Sequence, residues 1–111
     1  MSGAFHSHFM KESSEQFSRY LDTVNFNDST FQIVSNSNPT FSNKSNELKN
    51  RLKNQMCNGV RWRETMDLMS AQDNDSLHLI EIGPSNVLGG LAKRHLKDVR
   101  ITQVSSAEQV F

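Results

Sequence analysis

The sequence predicts an α/β layered fold. Some segments carry apolar residues at alternate positions, as strands do, and others carry them at helical spacings of three, four and seven. The segments so marked run in the order strand–helix–strand–helix–helix–strand–helix–strand, which argues for helices layered on a sheet. At 111 residues the chain is one domain or a piece of one. Two of the connections have room for right-handed crossovers between parallel strands. Only three or four short strands are available, and a parallel sheet needs both of its faces covered.

Residues 2–6 read as a short extended segment that ends on His6. From Phe9 the spacing turns helical: Met10, Phe17, Tyr20/Leu21 and Val24 form a stripe, with Lys11, Glu15, Arg19 and Asp22 between them. Residues 25–29 are a turn cluster, and 31–34 (Phe-Gln-Ile-Val) a short strand. Residues 35–46 are polar, with almost nothing to bury, and predict a loop. A second helix is expected near 45–57, where Leu48, Leu52 and Met56 are four apart and Glu47 can pair with Arg51 at i, i+4. A third spans about 61–71, with Trp62, Met66 and Met69 on one face and a polar break at 71–76. Residues 77–82 are a strand closed by the turn 83–86. A fourth helix over about 86–96 is expected to bury Val87, Leu88, Leu91 and Leu96, and residues 99–104 alternate as a final strand. No repeat is visible.

Composition removes several function classes. Twelve basic and twelve acidic residues cancel, so the basic excess of a nucleic-acid binder is missing, although Lys49/Arg51/Lys53 and Lys93/Arg94/His95/Lys97 form local clusters. No apolar run approaches the roughly 20 residues that span a bilayer. The start of the chain has neither the basic flank nor the apolar core of a signal peptide, so a soluble, cytoplasmic protein is expected. The single cysteine, Cys57, leaves no intrachain disulfide and no Cys-rich zinc site. It reads as a small apolar helix residue. His6 and His8 would share one side of a strand, but no third or fourth ligand stands at a recognisable spacing, and no metal is expected.

Four segments carry a family resemblance. They are Ser2-Gly3-Ala4-Phe5-His6-Ser7 with Phe9-Met10 behind it; Ile33-Val34-Ser35-Asn36; Gln55 followed by Val60-Arg61-Trp62; and Ile80-Glu81-Ile82-Gly83-Pro84 through Val87-Leu88-Gly89-Gly90-Leu91-Ala92-Lys93-Arg94. In this order and at these spacings they resemble malonyl-CoA:acyl carrier protein transacylases and the acyltransferase domains of polyketide synthases. The resemblance covers residues 2 to about 96, and the first segment looks most like free-standing, trans-acting acyltransferases. It implies that residues 1–111 are the C-terminal part of an acyltransferase domain. The fold implied is part of a three-layer α/β sheet, from the large, α/β-hydrolase-like subdomain. The nucleophile-bearing N-terminal part and most of the small subdomain are not represented.

The same resemblance assigns roles. His6 stands at the catalytic histidine, which takes the proton of a nucleophilic serine and returns one to the leaving thiol. An imidazole, with an ordinary pKa of about 6.5, suits both steps. Gln55 stands where the family orients that histidine through a main-chain carbonyl, a neutral acceptor in place of the aspartate of a triad. Phe5 before the histidine resembles users of malonyl rather than methylmalonyl groups, because its ring would fill the space of an α-methyl. One methyl is worth about 1–3 kcal/mol of discrimination. The family's G-x-S-x-G elbow is missing, since no two glycines lie four apart, and no residue matches its malonyl-binding arginine. Ser85 stands where a glycine is usual, which would be strained at positive φ. Glu12 replaces a usual proline at a helix start, and Asn86 a common lysine.

The expected function is therefore part of an enzyme that moves malonyl from coenzyme A to the phosphopantetheine thiol of an acyl carrier protein, in fatty-acid or polyketide synthesis, with no further cofactor. Lys93, Arg94 and Lys97 either meet the acidic carrier or coenzyme A phosphates, or form a solvated face. The missing N-terminal half is a further expected partner. The competing reading is a truncated, inactive remnant or an interaction module, and a hydrolase using Ser7 or Ser85 is a third.

Overall fold

The computed structural model describes residues 4–72 and 77–109. The elements are α1 (Lys11–Leu21), β1 (Ile33–Ser35), β2 (Asn38–Ser42), α2 (Ser45–Asn54), α3 (Trp62–Ala71), β3 (His78–Ile82), α4 (Val87–His95) and β4 (Arg100–Val104). Short 3-10 turns lie at His8–Met10, Gln55–Cys57 and Ala107–Gln109. The chain is α/β, as its sequence predicts. It divides into two compact units, Met1–Thr65 and Met66–Phe111, the division falling within α3.

In the first unit α1 packs on α2 and on the 3-10 turn that follows it. The face of α1 that turns inward is Met10, Ser14, Phe17 and Leu21, with Ser14 and Leu21 buried and Tyr20 left 65 % exposed. Ser14 matters because it is small and polar: its hydroxyl donates to the Lys53 carbonyl at 2.9 Å. That bond satisfies a carbonyl in the last turn of α2, a group the helix itself cannot pair. At its other end α2 is capped from a distance, by an Asp28 carboxylate oxygen 2.8 Å from the Ser45 N–H.

Two expectations fail here. Residues 35–46 are not all loop. Residues 38–42 form β2, antiparallel to β1 around a tight turn at Asn36-Ser37. Their polar, proline-containing sequence shows no alternation because this hairpin is held by main-chain pairing and by polar anchors rather than by burial. Arg51 donates to the Thr40 carbonyl at 2.6 Å and to the Thr40 hydroxyl at 2.7 Å, and the buried Ser42 hydroxyl donates to the Glu47 carboxylate. Glu47 and Arg51 thus each pin β2, instead of pairing with one another. The extended segment expected at 2–6 is also absent where it can be judged: residues 1–3 lie outside the described residues, and Phe5 and His6 form a turn. His6 has φ +66, which a strand cannot accommodate.

The second unit is a β–α–β crossover. β3 and β4 are parallel, with His78 opposite Arg100 and Ile82 opposite Val104. The helix α4 packs on one face of them through Gly89 and Ala92, the two buried residues of the helix. Val87 and Leu88, expected inside, are 60 % and 45 % exposed. The close approach of the helix to the strands falls at Gly89 instead. A Cβ on Gly89 would stand 3.1 Å from Ile101 Cγ2 and 3.2 Å from Glu81 Oε1, so the helix sits too close to the strands for a larger residue there. The opposite face of this pair leaves Ile80 and Ile82 57 % and 81 % exposed.

Candidate active site

His6 lies between the chain start and α1, on the turn formed by residues 5–7. The turn is closed by the Ser7 hydroxyl, which donates to the Ala4 carbonyl, and by the Met10 N–H, which donates to the Ser7 carbonyl at 3.1 Å. The left-handed backbone at His6 costs on the order of 1 kcal/mol for a residue with a Cβ. Among the described residues the only other non-glycine with positive φ is Asp98. Ser85 is therefore free of the strain its place in the motif suggested.

The His6 ring points at the C-terminal end of α2. Its Nδ1 lies 3.0 Å from the Gln55 carbonyl oxygen and 3.1 Å from the Asn58 carbonyl oxygen. Both partners can only accept, so Nδ1 carries the proton and donates, and in the neutral ring the lone pair is on Nε2. The Gln55 carbonyl opens the 3-10 turn that ends the helix and accepts one long bond there, so its second lone pair is open to His6. Phe5, beside His6 in the chain, is 42 % exposed. The Gln55 side chain is not part of this contact.

The sequence singled out His6 and Gln55 but missed Asn58. A signal was present: an asparagine just past a helix end, followed by Gly59, is a common way to finish a helix. Asn58 donates through Nδ2 to the Asn54 carbonyl at 2.5 Å and through its main-chain N–H to the Gln55 carbonyl at 3.4 Å.

Other candidates are placed elsewhere. His8 sits in the 3-10 turn with its ring 4.1 Å from that of Phe9, not beside His6 on a strand. Among the described residues no three His, Cys, Asp or Glu side chains gather as a metal group. Cys57 is half-buried and unbonded to another cysteine. The basic cluster of α2 is consumed by the fold: Lys49 donates to the Val24 carbonyl at 2.7 Å and lies over the Phe26 ring, Arg51 holds Thr40, and Lys53 holds Asp22. The Lys53 bond draws the Asp22 carboxyl below its ordinary value. Lys93, Arg94 and Lys97 are all exposed at or just beyond the last turn of α4, where positive charge suits the helix dipole. Among the described residues no helix is long and apolar enough to cross a membrane.

The family motif around Glu81 turns out to be scaffold. The Glu81 carboxylate accepts from the Gly89 N–H at 2.9 Å and the Leu88 N–H at 3.3 Å, capping the start of α4 from the neighbouring strand. Gly83, at φ +156, takes a conformation open to glycine and links to β4 through its N–H to the Val104 carbonyl at 2.9 Å. Gln103 Nε2 donates back to the Gly83 carbonyl at 2.8 Å.

Known proteins share this sequence and fold. The malonyl CoA-acyl carrier protein transacylase of Synechocystis sp. is 36 % identical over 110 residues, covering 99 % of this chain and 37 % of the relative. Its crystal structure superposes with a TM-score of 0.89. The corresponding protein of Staphylococcus aureus is 34 % identical over 110 residues, again with 99 % of this chain and 35 % of the relative covered. A structure of a type II polyketide synthase acyl carrier protein in complex with its malonyl-transacylase matches at TM-score 0.86 and 28 % identity, covering 99 % of this chain and 35 % of that one. No family model matches the chain.

Fold and sequence together define the chain as a segment of an α/β acyltransferase. More particularly, it matches a C-terminal part of malonyl-CoA:acyl carrier protein transacylases. It spans little more than a third of the length of the relatives it matches.

Proposed function

We propose that this chain supplies the histidine of a malonyl transferase whose nucleophilic serine comes from residues outside these 111. The observation that carries the reading is the His6 ring, held by main-chain acceptors on Nδ1 with Nε2 left as the basic nitrogen. In the first half-reaction Nε2 takes the serine proton as the oxygen attacks the thioester carbonyl of malonyl-CoA. The carbon–sulfur bond breaks and the proton passes to the departing thiolate. In the second, Nε2 takes the proton of a phosphopantetheine thiol, the sulfur attacks the malonyl ester, and the serine recovers its hydrogen. Only protons and an acyl group move, so the chemistry calls for no cofactor. The Gln55 carbonyl orients the base, and Phe5 disfavours an α-methyl on the acyl group.

The support for an acyl carrier protein as partner is the relatives' names and the carrier complex among the matching structures. On this reading residues 1–111 are one C-terminal part of an acyltransferase domain, acting in fatty-acid or polyketide synthesis in the cytoplasm. Alone they are inactive, since the motif that presents the serine is not among them.

The test is a chimaera in which residues 4–109 replace the matching segment of the Synechocystis transacylase, assayed for malonyl transfer to a phosphopantetheinylated carrier. The chimaera is expected to turn over, and His6→Ala to lower its rate about 10²–10⁴-fold. An active chimaera indifferent to His6→Ala overturns the assignment. A folded chimaera with no turnover favours the inactive-remnant reading instead.

A further inference from the structure

We propose that Asn58 is a second positioning residue for the His6 imidazole. This rests on the reading of His6 as the base but concerns what sets its geometry. The single Nδ1 proton faces two carbonyl oxygens at nearly equal distance, Gln55 at 3.0 Å and Asn58 at 3.1 Å, which is a three-centre hydrogen bond. One acceptor fixes which nitrogen holds the proton. Two acceptors, three residues apart in the chain, also restrict rotation of the ring, because turning towards either lengthens the bond to the other.

The two carbonyls need a reason to converge. Gln55 starts the 3-10 turn, and Asn58 leaves it with extended backbone, φ −115 and ψ 146. A chain leaving a helix in this way is free to swing its carbonyl unless something holds it. Asn58 supplies the hold through its own side chain: Nδ2 donates to the Asn54 carbonyl at 2.5 Å, while the main-chain N–H returns to Gln55 at 3.4 Å. The amide thus ties the end of α2 to the residue whose carbonyl meets His6. Aspartate has the same shape but no N–H to donate, and alanine has neither group.

The experiment reads the proton position directly. The full chain, labelled with ¹⁵N-histidine, and the Synechocystis chimaera are examined by long-range ¹H–¹⁵N correlation near pH 8, where the Nδ1–H and Nε2–H forms give different patterns. The unaltered chain is expected to show His6 as Nδ1–H. A predominantly Nε2–H pattern overturns the proposal without any substitution, which covers the case of a variant that fails to fold. Asn58→Ala and Asn58→Asp are each expected to move the tautomer ratio towards Nε2–H by about three- to tenfold, the worth of one ordinary hydrogen bond. Gln55→Ala keeps its carbonyl and is expected to leave the ratio unchanged. Asn58 variants that fold and keep the wild-type ratio overturn the proposal. A shifted ratio supports Asn58 as a positioner whatever the turnover of the chimaera, while failure of His6 as the base shows separately, as a chimaera indifferent to His6→Ala.

Discussion

Removing the Glu81 side chain tests how the second unit is held together. Gly89 N–H cannot pair within α4, whose first bond runs from Gly90 N–H to the Asn86 carbonyl at 3.0 Å. Its acceptor is the Glu81 carboxylate at 2.9 Å, at a residue that is buried. The second bond, to Leu88 N–H, is longer at 3.3 Å and exposed, so water replaces it at little loss. Glu81→Ala therefore strands one buried donor, which costs about 1–3 kcal/mol. The loss of a helix N-cap gives a similar figure of about 0.5–2 kcal/mol. A net loss of about 1–2 kcal/mol corresponds to a roughly 5- to 30-fold fall in the protection of amides in α4 and β4, if they exchange by opening of this unit. Residue-resolved hydrogen exchange is the assay, since Trp62, the one tryptophan, belongs to the other unit. Glu81→Gln keeps an acceptor oxygen and is expected to lose about half as much. Protection within twofold of wild type in Glu81→Ala, or a larger loss in Glu81→Gln, would refute the capping argument.

Two adjacent glycines should respond with opposite signs. Gly89→Ala places a methyl 3.1 Å from Ile101 and 3.2 Å from Glu81, and the overpacking, about 1–3 kcal/mol, should outweigh a helix-propensity gain of about 1 kcal/mol. Gly90→Ala meets nothing within 4 Å and should stabilise by about 0.5–1 kcal/mol; equal effects in the same exchange measurement would contradict the close approach. The first unit should weaken in acid. Asp22 is held below its ordinary value of 3.8 by the Lys53 hydrogen bond, and Asp28 by the Ser45 N–H. A depressed carboxyl contributes fully above its unfolded value and loses that contribution as pH falls through the lower, folded one. The urea midpoint followed by Trp62 fluorescence should thus hold from neutral pH down to about 4 and then fall, a fall that Asp22→Asn with Asp28→Asn should shrink.

The helices and β3–β4 were legible because their signals are local. Leu48, Leu52 and Met56 repeat at four residues, and residues 77–82 and 99–104 alternate. What escaped were features made by distant partners. β2 exists because Arg51 and Glu47 reach it from α2, and no window over Asn38–Ser42 contains them. Ser14 is invisible as a core residue because its burial depends on the Lys53 carbonyl 39 residues away. The inward face of α4 differs from the apolar pattern for the same kind of reason: Val87 and Leu88 are apolar, but the residues buried are Gly89 and Ala92, with Gly89 close against Ile101 on β4 and Glu81 on β3. At the site, His6 and Gln55 were reachable only through the family resemblance, since 49 residues separate them and neither stands out by composition.

The four motif segments do different physical work, and this bears on where the chemistry can be completed. The third and second hold one another, through the Arg61 N–H on the Asn36 carbonyl at 2.6 Å. The third also receives the first, through the His6 ring on Gln55 and Asn58. The fourth is bonded within its own unit, by Glu81 to α4 and Gly83 to β4. The described bonds that orient His6 therefore all arise within residues 4–65, which is why its tautomer can be tested without a nucleophile. They also define what is still needed. With Nδ1–H engaged twice, only Nε2 is left to act, and among the described residues no hydrogen bond reaches it. Ser7, the nearest hydroxyl in the chain, is already committed to the Ala4 carbonyl. A hydroxyl brought to Nε2 from outside these 111 residues would complete a Ser–His pair, whereas the Ser7 hydroxyl would first have to break the bond that shapes the His6 turn.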